Sequence, residues 1–176
     1  MKILSFNERK KLKEKYKLLN FLPAICVMIG IFYFSSQTAV QSSGLSGNIT
    51  ENIMEVIKNF LNIQEDIKTN NVFFQLAETI IRKSAHMMEY AVLAVTIAYP
   101  LKIYGNQGLR LMIWSELISV LYAVTDEFHQ LFVPGRSGQL TDVFIDGIGA
   151  LIGCILFWLI SNIIAKKINT KRNRRN

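Results

Sequence analysis

Side chains able to transfer protons are concentrated in two short stretches of the chain. One is TDEFHQLFVPGRSGQLTD (residues 125–142), and the other is KSAHMMEY (residues 83–90). Each stretch contains one histidine with a carboxylate three residues away, and a histidine oriented in this way can act as a general base. The candidate catalytic residues are His86, Glu89, Asp126, Glu127, His129, Asp142 and Asp146.

Cationic and amide side chains near these groups could bind a substrate. Lys83 and Arg136 could hold a phosphate or a carboxylate through charge-assisted hydrogen bonds. The candidate substrate-binding residues are Lys83, Gln130, Arg136, Ser36 and Gln37. The chain has no nucleophile motif such as a serine elbow, so the pattern selects no reaction and leaves open whether the protein is an enzyme.

A metal site is an alternative use of the same side chains. Asp126 and His129 have the carboxylate-x-x-histidine spacing of carboxylate-bridged helical bundles, and His86 and Glu89 complete the alternative ligand set. Only one pair runs in the matching order, and the two cysteines have no zinc-ligand spacing. We therefore expect neither a metal nor another cofactor.

Four apolar segments must position these residues. We predict membrane-spanning helices at about 18–34, 84–104, 109–133 and 140–164, because a bilayer core requires about 20 apolar residues as helix. A soluble bundle would show a polar face along each helix, which these segments lack. The predicted fold class is all-α, an integral membrane four-helix bundle. The first segment could be a secretory signal, but it exceeds the usual length of one and no small-residue cleavage site follows.

The distribution of charge predicts the orientation of the bundle. Of the 20 Lys and Arg residues, 7 precede Leu18 and 6 follow Ile164. The positive-inside rule then places the basic N-terminal segment (1–17) and the basic tail (165–176) in the cytoplasm. This topology and the attraction of Lys and Arg to anionic lipid explain the net charge of +7. We therefore expect the lipid bilayer, and not nucleic acid, as the partner.

An amphipathic segment connects the first two predicted spans. Between residues 45 and 82, apolar side chains recur at helical spacing, first over 45–61 and again over 72–80. The same stripe would serve a helix lying on the outer membrane surface or a small cap packed on the bundle. Both interpretations stay open.

The predicted orientation brings separate polar sets to one depth, in the outer leaflet. Asp142 and Asp146 lie one turn apart, and their stripe continues through Gly149 and Gly153, whose spacing allows close helix approach. We therefore expect the acidic stripe to face the bundle. Ion pairs of Arg136 with Asp126, Asp142 or Asp146, and of His86 with Glu89, would be the purely structural alternative. Glu116, deeper in its span, is either a single buried hydrogen-bonding group or part of a proton path.

Three stretches of the sequence resemble the VanZ-like membrane proteins. They are FYFSSQTAVQSSGLS (32–46), RKSAHMMEYAVL (82–93) and YAVTDEFHQLFVPGRSGQLTDVFIDGIGALIG (122–153). The resemblance implies a small multi-pass protein of the bacterial cell membrane, and the name-giving member is associated with low-level teicoplanin resistance. It carries over no catalytic residue. The positions that match the family's polar motif are His86, Glu89, Asp126, Glu127, His129, Gln130, Arg136, Asp142 and Asp146.

These observations favour a site that binds or modifies a lipid-linked or cell-wall molecule at the outer leaflet. The alternatives are a non-catalytic membrane scaffold or accessory protein, a small metal-dependent membrane enzyme, and a carrier that uses Glu116. A carrier would require ionisable groups near the membrane midplane, and only Glu116 lies there. The oligomeric state, the substrate and the reaction stay open.

Overall fold

The computed structural model describes residues 17–62 and 72–173. A short 3-10 helix, Lys17–Phe21, leads into five α-helices. They are α1 (Leu22–Ser35), α2 (Ala39–Leu61), α3 (Val72–Ile103), α4 (Gly108–Gln130) and α5 (Leu140–Asn173). Within these ranges all regular structure is helical, which confirms the all-α class. Most of the predicted N-terminal segment, residues 63–71 of the amphipathic segment and the last three residues of the tail lie outside the described residues.

The amphipathic segment begins earlier than predicted, at Ala39 instead of residue 45. Thr38 and Gln41 form a capping box, in which each side chain satisfies a backbone N–H at the start of α2. The helix ends at Leu61, before Asn62 in the left-handed conformation (φ 57°). The cap thus fixes where the chain turns after α1.

The second predicted span and the apolar pattern before it belong to one helix, α3. Its 32 residues run from Val72 through Pro100 to Ile103. The predicted span 84–104 therefore begins inside a longer helix, because no glycine or proline interrupts the chain between Val72 and Tyr99. Pro100 lies in the last turn of α3. Because proline has no backbone N–H, the helix loses one hydrogen bond there, but only three residues before it ends at Ile103.

A short loop joins α4 to α5. The third predicted span extends to residue 133, but α4 ends at Gln130, and three residues of tight turn precede Pro134 and Gly135. Gly135 has a positive φ of 77°, which glycine adopts without strain. At the other end, α5 continues to Asn173, so the start of the basic tail extends the helix beyond residue 164.

The helices pack around α3, whose most extensive contacts are with α5. A Cβ added at Gly149 or Gly153 would collide with the backbone carbonyl of Met87 or Ala91, so the two glycines let the helix backbones touch. Tyr90, Leu93, Ala94, Ala123 and Cys154 are among the most buried residues of the core. The acidic stripe therefore faces α3, as its spacing predicts.

Three segments of the described chain are long and apolar enough to cross a membrane. They are Leu18–Ser35, Gly108–Gln130 and Leu140–Ile168, with mean hydropathies of 2.0, 1.3 and 2.4. The predicted span 84–104 is not among them, because His86 and Glu89 lower the hydropathy of α3. Apolar side chains such as Ile29 and Ile113 remain exposed on the outside of the helices, as a protein surrounded by lipid requires.

Candidate functional site

One end of the bundle encloses a polar cavity of about 150 Å³. It lies where α4 ends and α5 begins, and α3 contributes Arg82, Lys83 and His86 to its lining. The ionisable and amide groups of its lining are Arg82, Lys83, His86, Glu127, Gln130, Arg136, Gln139, Asp142 and Asp146. Residues that are far apart in the sequence therefore share one cavity.

An ion pair crosses the cavity between α3 and α5. Lys83 Nζ donates to Asp142 Oδ1 at 2.6 Å, with about a third of each side chain exposed to solvent. The cation of Lys83 is therefore neutralised within the protein. This pairing replaces the predicted structural alternative in which Arg136 neutralises the aspartates.

Amide groups fix two carboxylates at the end of α4. Gln130 Nε2 donates to Glu127 Oε1 at 3.1 Å and to Asp126 Oδ2 at 3.3 Å. The backbone N–H of Gln139, in the loop, donates to Glu127 Oε2 at 2.9 Å. Asp126, Glu127 and Gln130 are all buried, so these hydrogen bonds hold Glu127 in place against the cavity.

Asp146 brings a second kind of carboxylate to the cavity. It is only 2% exposed, and its Oδ1 accepts no hydrogen bond from the described residues. Asp126 Oδ1 is also buried without a hydrogen-bond donor among the described residues, but Asp126 does not line the cavity. A buried carboxylate oxygen requires a donor, so Asp146 is available to a polar group that enters the cavity.

The two histidines lie in different surroundings. His86 lines the cavity, and its Nδ1 is 3.5 Å from Glu89 Oε2, which suits charge attraction but is long for a hydrogen bond. The ring of His129 stacks on Phe32 at 4.3 Å between centroids, and its Nε2 is 3.2 Å from Ser36 Oγ. His129 is outside the cavity lining.

Ser36 joins α1 to the end of α4 through His129. The Ser36 hydroxyl donates its one proton to the Phe32 carbonyl oxygen at 2.6 Å, so His129 Nε2 must be the donor toward Ser36 Oγ. Neither residue lines the cavity. Gln37, the other predicted binding residue of this turn, lines a neighbouring space.

Two arginines face the cavity without a carboxylate at ion-pair distance among the described residues. Arg136 Nη2 donates weakly to the Phe34 carbonyl oxygen at 3.4 Å, and Arg82 lies near it on α3. Burial lowers the pKa of the Arg136 guanidinium, and the positive charge of Arg82 lowers this pKa further. The negative charges of Asp126, Glu127 and Glu89 act in the opposite direction and raise it. These two cations repel each other where the cavity opens.

The polar cavity has two neighbouring spaces between the helices, and adjacent spaces share lining residues. A second cavity of about 180 Å³ shares Ser42, Arg82, His86 and Arg136 with the first. That second cavity shares lining residues in turn with a groove of about 400 Å³ between α1 and α3. The shared residues are Phe34, Ala85 and Glu89. Apart from Glu89 the groove is apolar, with Val27, Ile31 and Val92 among its walls.

The alternative metal set does not form a metal-binding group. In the described parts of the chain, no three His, Cys, Asp or Glu side chains are arranged to hold an ion. His86 and Glu89 are neighbours on α3, whereas His129 contacts Ser36 and Phe32.

The structure also brings residues to the cavity that our sequence analysis did not single out. Arg82 directly precedes Lys83 and could have been found as part of the same basic pair. Gln139 contributes a backbone N–H, and Ser42 comes from α2. The backbone N–H of Gln139 carries no sequence signal, since a loop N–H is common to most residues. Ser42 lies in the 32–46 stretch that resembles the family, but neither charge nor spacing distinguishes it there.

The fold and the site define a helical membrane protein with a polar cavity at one end of its bundle. The chain matches the model of the VanZ/LLP1 family over residues 21–161, and it belongs to that family. No curated protein and no solved structure gives a significant match to the chain.

Proposed function

We propose that this VanZ-family protein binds an amphiphilic, lipid-linked molecule of the bacterial cell envelope in the outer leaflet of the membrane. The polar part of the ligand occupies the cavity lined by His86, Glu127, Arg136 and Asp146, and its chain lies in the groove between α1 and α3. This function requires an orientation in which the cavity faces outward.

The distribution of basic residues supports that orientation. With both termini in the cytoplasm, α1 and α4 run outward, α5 runs inward, and the second half of α3 is a fourth span near 84–104. The many Lys and Arg residues at the two ends of the chain favour this arrangement. Lys102 and Arg110 flank the loop between α3 and α4, which is cytoplasmic in the same arrangement.

The adjacency of the polar cavity, the second cavity and the apolar groove carries the proposal. A soluble polar substrate requires only the cavity, and a purely apolar one requires only the groove. Since Arg136 and His86 connect the cavity to the intermediate space, and Phe34 and Glu89 connect that space to the groove, a headgroup and its chain can bind together.

Blocking the groove tests this proposal. Gly30 lines the groove, and a Cβ added there meets no atom within 4 Å, so the side chain of Gly30→Leu enters open space. Mass spectrometry of lipids that copurify with the full chain should show a specific species that is depleted in this variant. Gly44→Leu is the matched control, because Gly44 has equal room on α2 and lines none of the three spaces. Equal lipid content in both variants contradicts the proposal.

The same site is proposed to affect susceptibility to the glycopeptide teicoplanin. We expect strains that express Gly30→Leu or Asp146→Asn at normal membrane levels to match the susceptibility of a deletion strain. A strain that expresses Gly44→Leu should match the parent. If all three strains are as susceptible as the parent strain, the site does not affect susceptibility to glycopeptides.

A non-catalytic scaffold is the second candidate function, favoured by the Lys83–Asp142 pair that ties α3 to α5. In a scaffold, polar substitutions in the cavity change stability and expression together with any phenotype. A phenotype of Asp146→Asn at unchanged stability therefore separates the two functions.

A further inference from the structure

We infer that the headgroup of the ligand is a phosphate monoester held between Arg82 and Arg136. This inference rests on the proposed function and narrows it to one chemical class. Lys83, which the sequence suggests as an anion-binding residue, is not the anchor, because Asp142 already neutralises it.

The two guanidinium groups lie near each other, and the protein carboxylates that attract Arg136 (Asp126, Glu127 and Glu89) do so from beyond ion-pair distance. Both line the polar cavity and the second cavity beside it, and both are partly buried. No described carboxylate lies at ion-pair distance from either one. Two like charges placed together out of bulk water are unfavourable unless an anion lies between them. An anion bound there relieves the repulsion that lowers the pKa of Arg136.

The number of charges selects phosphate over carboxylate. A carboxylate has one charge and two oxygens, and a single guanidinium fork satisfies it. A phosphate monoester has up to two negative charges and three free oxygens, which match two forks. Its fourth oxygen is the ester link to a chain.

The rest of the lining fixes the orientation of that group. Glu127 and Asp146, on α4 and α5, are buried carboxylates that disfavour an anion on their side of the cavity. The phosphate is thereby placed on the side of Arg82 and Arg136, next to the space that leads to the groove. The one carboxylate in the lining of that space, Glu89, lies beside His86. The ester-linked chain then points toward Phe34 and the groove between α1 and α3.

Matched ligands test this inference on the full chain in neutral detergent. Decyl phosphate, decanoate and decanol share one chain and differ in the headgroup, whereas inorganic phosphate has no chain. Dissociation constants from native mass spectrometry should rank decyl phosphate as the tightest ligand, by about ten-fold or more over decanoate. Equal affinity of decanoate or decanol overturns the inference. Equal affinity of inorganic phosphate also overturns it, since the site then takes free phosphate.

Substitution of the arginines assigns the binding to this site. The double variant Arg82→Gln/Arg136→Gln should weaken the binding of decyl phosphate about ten-fold or more. The variant Arg136→Lys should bind decyl phosphate more tightly than the double variant, because lysine keeps the charge without the guanidinium fork. Arg110→Gln is the matched control, since Arg110 is exposed at the opposite end of α4. Unchanged affinity in the double variant overturns the inference.

The groove variant separates failure of this inference from failure of the proposed function. If Gly30→Leu weakens all three decyl-chain ligands equally while the arginine variants change none, the site binds amphiphiles but does not select phosphate. If Gly30→Leu changes none of them, the lipid site itself is wrong.

Discussion

Lys83 on α3 and Asp142 in the first turn of α5 form an ion pair with 2.6 Å between Nζ and Oδ1. We expect Asp142→Asn to lower the free energy of unfolding by about 1 kcal/mol, a small amount because a third of each side chain is exposed. Unfolding of the detergent-solubilised protein with increasing SDS measures this loss.

The reversed pair is the control for that prediction. Lys83→Asp/Asp142→Lys should recover much of the stability that either single charge reversal loses, because the attraction is restored. A double variant as unstable as the sum of its single variants would show that the two side chains do not interact.

The close contact of α3 with α5 at Gly149 predicts a steric effect. An added Cβ collides with the Met87 carbonyl, which is backbone and cannot rotate away. Gly149→Ala should therefore destabilise the protein by about 1–3 kcal/mol, in spite of the better helix propensity of alanine. Thermal unfolding in detergent measures it. Gly30→Ala, which has free space, should leave stability unchanged or raise it, and an equal response of both variants contradicts the prediction.

A hydrogen bond between Tyr122 and the Met28 carbonyl oxygen holds α4 to α1. The hydroxyl donates at 2.6 Å from a partly buried position. Tyr122→Phe should cost about 1 kcal/mol, the typical net value of one hydrogen bond, with no change in helix content. The control is Tyr99→Phe, at a residue that is 54% exposed. If both variants unfold alike, the bond does not contribute to stability.

The proposed orientation predicts which loops are accessible from outside the cell. Ser137, in the loop between α4 and α5, and Gln107, before α4, are both exposed. A membrane-impermeant maleimide should label Ser137→Cys in intact cells and Gln107→Cys only after permeabilisation. The parent chain, with Cys26 and Cys154 in apolar helices, gives the background. The opposite labelling pattern would place the cavity in the cytoplasm.

The helices themselves were largely predictable from the sequence, because they depend on local composition. Apolar runs long enough to span a bilayer gave α1, α4 and α5 to within a few residues at most ends. The errors fell where a boundary depends on capping or on the absence of a break, as at Thr38 and at the start of α3. The extension of α5 beyond residue 164 was missed because we assigned a basic tail by its charge, although Lys and Arg are good helix formers.

The candidate site was only partly predictable. Asp126, Glu127, His129 and Gln130 follow one another within five positions, yet they face different surroundings, since each residue turns about 100° around the helix. Glu127 and Gln130 line the cavity, whereas His129 stacks on Phe32. The sequence does not distinguish the two histidines, because it does not show how α4 is rotated against α1.

The sequence by itself determined that this chain is a helical membrane protein of the VanZ type with its ionisable groups concentrated in two stretches. It could do so because burying apolar side chains and avoiding charge in lipid are properties of single segments. Only the tertiary structure decided which polar groups share a cavity. It also decided that Asp142 neutralises Lys83 and that the positive charges of Arg82 and Arg136 lie near each other. These relations depend on the rotation of each helix about its axis, which is set by contacts such as those of Gly149 and Gly153 with α3.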